Sequence, residues 1–89
     1  MKALSPTALK NYSDEFLQEM LTAQLNILLF GGHRHINLEN EPSLSWAFDF
    51  DDENWREDEF FKKVLDDFRS QGWDVNVPAE YLNFYAELD

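Results

Sequence analysis

From Phe16 onward the apolar residues of this chain recur at helical spacing. Phe16, Leu17, Met20, Leu21, Leu25, Leu28 and Leu29 fall three or four apart, which predicts a helix with one apolar face. Ser13 ahead of Asp14 and Glu15 supplies an N-cap and first-turn acids, and Gly31-Gly32 supplies the stop. Ser5-Pro6 is a second cap and first-turn pair, so an earlier start with a break near Tyr12 is also open. His35 to Leu38 reads as a short strand with Ile36 and Leu38 facing one way, interrupted by Asn40, Glu41 and Pro42.

The period then changes to two. Leu44, Trp46, Phe48 and Phe50 alternate with Ser45, Ala47, Asp49 and Asp51, which predicts a strand with an aromatic inner face and carboxylates outside. Asn54 with Glu57 three residues on has capping-box spacing, and Phe61, Val64, Leu65 and Phe68 give a second helix its stripe before Gly72 closes it. Trp73, Val75 and Val77 alternate up to Pro78. Leu82, Phe84, Ala86 and Leu88 alternate again against Tyr81, Asn83, Tyr85 and Glu87, with Pro78 to Glu80 as the hairpin turn. The fold expected is α+β: a small, mostly antiparallel sheet of three to four strands with two helices packed on one face.

Eighty-nine residues hold one domain, 1–89. An apolar content of 44% with 16% aromatics excludes disorder as the main state. The absence of cysteine removes disulfides, zinc ribbons and thiol catalysis, and is compatible with a cytoplasmic setting. No signal peptide or membrane segment is expected. The stretch from Met20 to His33 is free of charge but carries Thr22, Gln24 and Asn26 and is shorter than the roughly 20 apolar residues of a membrane helix.

Charge changes the picture most. Residues 1–35 balance three bases against three acids, so the whole net charge of −11 comes from residues 36–89. Between Asp49 and Glu59 seven acids stand in 11 residues: Asp49, Asp51, Asp52, Glu53, Glu57, Asp58 and Glu59, opposed only by Arg56. Such a chain is not expected to bind nucleic acid or an anionic membrane directly. A solvated loop leading into an acid-rich first helical turn accounts for part of the run.

Catalytic chemistry is thin. No dinucleotide-binding, phosphate-loop or nucleophile-elbow motif is present, so the chain reads as non-enzymatic and without a cofactor. His33 and His35 have a metal-ligand spacing if extended, with acids from Asp49 onward as the other available ligands, but two histidines in a polar loop are usually no more than that. Asp49, Asp51 and Glu53 begin like a calcium loop, yet Asn54 takes the place of the turn glycine and Phe60 that of the bidentate glutamate. No metal site is expected.

Alternate carboxylates on a strand stand about 7 Å apart, a spacing comparable to the fixed charges of a nucleic-acid backbone. The residues expected to contact a partner are therefore Asp49, Asp51, Asp52, Glu53, Trp55, Glu57, Asp58 and Glu59, extended along the second helix by Asp66 and Asp67. Trp55 is either an aromatic anchor within that surface or a staple beneath the helix. Asp74 and Glu87 would border the track, and Tyr81 and Tyr85 fall on the outer face of the last strand.

In its size, its acidic run from Asp49 to Glu59, and its helix ending Ser70-Gln71-Gly72 before Trp73-Asp74-Val75, the chain resembles small acidic anti-defence inhibitors of bacteriophages, of the anti-CRISPR and anti-restriction type. The resemblance implies a non-enzymatic inhibitor, monomer or homodimer, that blocks a basic nucleic-acid-binding protein or nuclease of the host cytoplasm, as a DNA mimic in one version. Two other classes stay open. One is an immunity or antitoxin protein that plugs a nuclease toxin; the other is an assembly or regulatory subunit docking through the apolar face of the first helix, which would self-associate when unpartnered.

Overall fold

The computed structural model describes residues 13–86. The early cap at Ser5-Pro6, the break near Tyr12 and the last positions of the final strand lie outside them. Helix α1 runs Asp14–Phe30, and the Ser13 hydroxyl caps it by accepting from the Phe16 N–H at 3.3 Å. At its end the Gly31 and Gly32 amides donate to the carbonyls of Ile27 and Leu29, and Gly32 takes φ +89°, a conformation that favours glycine. The chain continues through strand β1 (His35–Asn37), a single helical turn α2 (Pro42–Ser45), a 3-10 turn (Trp55–Glu57) and helix α3 (Glu59–Ser70). It ends in strands β2 (Trp73–Asn76) and β3 (Tyr81–Ala86).

The class is α+β, with a three-stranded antiparallel sheet in the order β1-β3-β2. Ile36 pairs with Leu82, and Val75 pairs with Phe84, so these four residues share the buried face of the sheet. Helix α3 packs on β2 and α1 packs on α3. Phe68 of α3 meets Phe84 of β3 edge-on at 5.4 Å, which ties helix to sheet. Leu21, Leu25 and Leu29 of α1 join Phe60, Phe61, Val64, Leu65 and Phe68 of α3 in one core with Leu38, Leu44 and Trp55.

The strand expected from Leu44 to Asp51 does not form. Pro42 starts a helical turn capped by Glu41, whose carboxylate accepts from the Ser43 amide and hydroxyl. Asp49 and Asp52 then bend the backbone. Each side chain accepts from the amide two residues on, Asp51 and Asn54, while their carbonyls accept from the Asp52 and Trp55 amides. These local bonds outcompete a sheet ladder. The alternation survives only in part: Leu44 is buried and Phe48 and Phe50 are half-buried against the core, whereas Trp46, expected on the same inner face, is exposed, and Ala47, expected outside, packs against the core.

Asn54 does not cap the long helix either. It precedes the 3-10 turn without a side-chain cap bond, and α3 begins only at Glu59 with Asp58 at the cap position.

Candidate acidic interaction surface

Five aromatic rings hold the acidic segment down from beneath. Phe48 lies 4.9 Å from Phe61 and 5.5 Å from Trp55, and Phe50 lies 5.0 Å from Trp55, all edge-on. Phe60 completes the group. With these side chains turned inward, Asp49, Asp51, Asp52, Glu53, Glu57, Asp58 and Glu59 are all left exposed. Trp55 is 4% exposed. It is the staple and is not available as an anchor, a correction that follows from its packing against the rings of Phe48, Phe50 and Phe61.

Arg56, the one base in the run, is used elsewhere. Its guanidinium stacks on the Trp55 ring at 4.8 Å and donates from Nε and Nη2 to the Ala79 carbonyl, at 3.1 and 2.7 Å. This clamp fastens the acidic segment to the β2–β3 loop, where Ala79 sits at φ +52°. Among the described residues the ion pairs are Lys62–Glu57 at 2.7 Å and Arg69–Asp66 at 3.2 Å, both exposed. Lys62 draws the Glu57 carboxyl below its ordinary range, by hydrogen bond and by charge, and is itself raised by the same partner.

Asp58 moves the other way. Partial burial raises its carboxyl first, and the neighbouring charges of Asp52 and Asp14 add to the shift. Asp14, from the first turn of α1, thus belongs to the same electrostatic neighbourhood, which the sequence order concealed. From there the acids continue: Glu15 and Glu19 of α1 and Asp67 of α3 line an open groove of about 510 Å³ with Gln18, Thr22, Ala23 and Asn26. The N-terminal half sums to zero charge along the chain, but in space its three acids gather beside those of the C-terminal half. The i, i+4 spacing of Glu15 and Glu19 on the first apolar helix was the available signal.

Asp66 and Asp67 are exposed on α3 as expected, with Asp66 partly neutralised by Arg69. The regular carboxylate spacing of a strand is absent, since Asp49 and Asp51 lie in a turn. Asp74 faces outward on β2 opposite Tyr85, and Tyr81 and Tyr85 are exposed at 47% and 45%.

His35 bonds the Asn83 side chain at 3.1 Å and meets the Tyr85 ring, while His33 and His35 line a small pocket with Asn40 and Glu41. The Glu41 carboxylate there already accepts from Ser43. Among the described residues no group of three or more histidines and acids is arranged to hold a metal ion. No helix among them is long and apolar enough to cross a membrane.

The apolar face of the first helix is largely spent inside. Leu21, Leu25 and Leu29 are buried, with Leu17 and Leu28 packed at the edge of the core. That face is therefore not a free docking surface, as the assembly-subunit reading required. The exposed large apolar residues of α1 are others, Ile27 and Phe30, which the sequence pattern left outside the face. No protein-family model, curated protein or solved structure matches the chain.

Proposed function

We propose that this protein is a non-enzymatic acidic inhibitor that binds the basic surface of a nucleic-acid-binding protein or nuclease in the cytoplasm, taking the place of a phosphate backbone. The observation that carries the reading is the segment from Asp49 to Glu59: its aromatic residues are fixed in the core, its one arginine is diverted to Ala79, and its seven acids face solvent with Lys62 alone in direct pairing. A segment pinned in this way presents its charges with little ordering cost on binding. Like-charge crowding is a liability in a small domain, and about 2 to 8 net charges suffice for solubility. The acids of α1 and Asp67 widen the surface beyond the loop. An immunity or antitoxin protein against a nuclease would use the same physics.

The test is capture from host lysate with the purified chain as bait, at low and high salt, beside a bait in which the exposed Asp51, Glu53, Glu59 and Asp67 are changed to lysine. The reading expects a nucleic-acid-binding protein that is lost at high salt, lost on the reversed bait and displaced by duplex DNA. A partner retained by the reversed bait, or indifferent to DNA, would overturn it.

A further inference from the structure

Strand β2 closes one side of the sheet, since the strand order is β1-β3-β2. Which of its backbone groups face outward follows from the register. The Phe84 amide donates to the Arg34 carbonyl at 2.8 Å, so the main chain of Phe84 faces β1, and the alternate residues Asn83 and Tyr85 face β2. Those two stand opposite Asn76 and Asp74. Val75, opposite Phe84, and Trp73, opposite Ala86, therefore turn their N–H and C=O groups away from the sheet, toward its open edge.

Such a row is a template for another strand, and one side chain already occupies it. Arg69, in the last turn of α3, donates from Nη2 to the Val75 carbonyl at 2.9 Å, while the Asp66 carboxylate holds its Nη1 at 3.2 Å. The opposite edge is closed by the chain itself. By the same alternation His35 and Asn37 face outward on β1, and the Asn37 carbonyl accepts from the Asn40 amide at 3.2 Å where the chain turns away.

We propose that Arg69 is a guard on the β2 edge, and that the strand it excludes is β2 of a second copy. The edge is complementary to itself: a two-fold antiparallel pairing that uses both outward residues sets Trp73 of each copy against Val75 of the other, with N–H and C=O bonds exchanged in each pair. That pairing needs the Val75 carbonyl, and forming it would strand the guanidinium of Arg69 between the strands without its acceptor. The same register sets the exposed Asp74 directly opposite Asp74 of the other copy, a like-charge pair. Arg69 thus takes the acceptor, and Asp74 penalises the alignment.

Sedimentation velocity over a concentration series is the experiment, on wild type and on Arg69→Met, which keeps the stem of the side chain and loses its donors. Wild type is expected to show no pairing through this edge. Arg69→Met should shift reversibly from the mass of one chain to that of two as concentration rises, and further in high sodium chloride, which screens the Asp74 pair. Adding Asp74→Asn should shift the dimer to lower concentration and remove the need for salt, whereas Asp74→Asn alone and Arg69→Lys should behave as wild type. The sign is informative, because Arg69→Met makes the chain more negative, and general repulsion would then hold copies further apart. Amide exchange locates the contact: Trp73 and Val75 should become slow on dimerisation, while Asp74 and Asn76, bonded to β3, are slow throughout. An Arg69→Met chain that keeps its circular dichroism and stays monomeric, or that associates without protecting those two amides, would overturn the proposal. So would a wild type already paired through them. Loss of native circular dichroism in Arg69→Met and Arg69→Lys alike would make the residue a contact that holds the fold, and would overturn it too.

Discussion

Asp58 is the acid on which folding imposes a resolved penalty. Its charged form loses solvent in the folded chain and meets Asp52 and Asp14, so its folded pKa lies above the ordinary 3.8. The sign follows by linkage. Below the ordinary value the carboxyl is protonated in both states and costs nothing; as pH rises through the raised folded value the cost appears, and at neutral pH it is fully present. Asp58→Asn removes that charge and keeps an equivalent helix-cap residue. The variant is expected to be more stable at pH 7 by less than about 1 kcal/mol, given how exposed the group remains. Urea titrations at neutral pH and at about pH 3 should show the gain only in the first. A gain that persists in acid would mean that something other than charge is relieved.

At the level of elements, the acidic segment illustrates how far alternation can be read. Leu44, Phe48 and Phe50 turn inward as the period of two predicts, but Trp46 stays exposed and no strand forms, because Pro42 begins a helical turn and Asp49 and Asp52 bond their own backbone. The two elements with strong local punctuation, α1 between Ser13 and Gly31 and α3 before Gly72, were legible in the sequence, as was the β2–β3 hairpin. What the sequence could not show was the diversion of Arg56 to a carbonyl 23 residues away, or that the charge of Asp14 is felt at Asp58. Both depend on tertiary proximity. The buried role of Trp55 gives a direct test: Trp55→Ala removes the ring that Phe48, Phe50 and Arg56 pack on. A loss of about 3 to 5 kcal/mol is expected, and Trp55→Phe should recover much of it. Chemical denaturation that finds Trp55→Ala near wild type would show that the segment is not anchored there.

For the molecule as a whole, the uneven charge has one energetic consequence independent of any partner. With eighteen acids against seven bases, the acids repel one another in the compact state more than in the expanded one, and the exposed Lys62–Glu57 and Arg69–Asp66 pairs relieve little of this. Sodium chloride screens the repulsion over a Debye length of about 10 Å at 0.1 M, a distance that spans several neighbouring acids on this surface. The melting temperature should therefore rise as salt is raised from a few millimolar, with most of the gain complete by a few tenths molar. Losing the Lys62–Glu57 and Arg69–Asp66 attractions works against that rise, but two attractions cannot outweigh a net charge of −11. A chain bearing the four acid-to-lysine reversals loses eight units of negative charge, so its melting temperature should respond far less to salt. If wild type and the reversed chain responded alike, the acids would be too far apart or too well solvated to feel one another. The case for a concentrated negative surface would then fail on the free protein, before any partner is added.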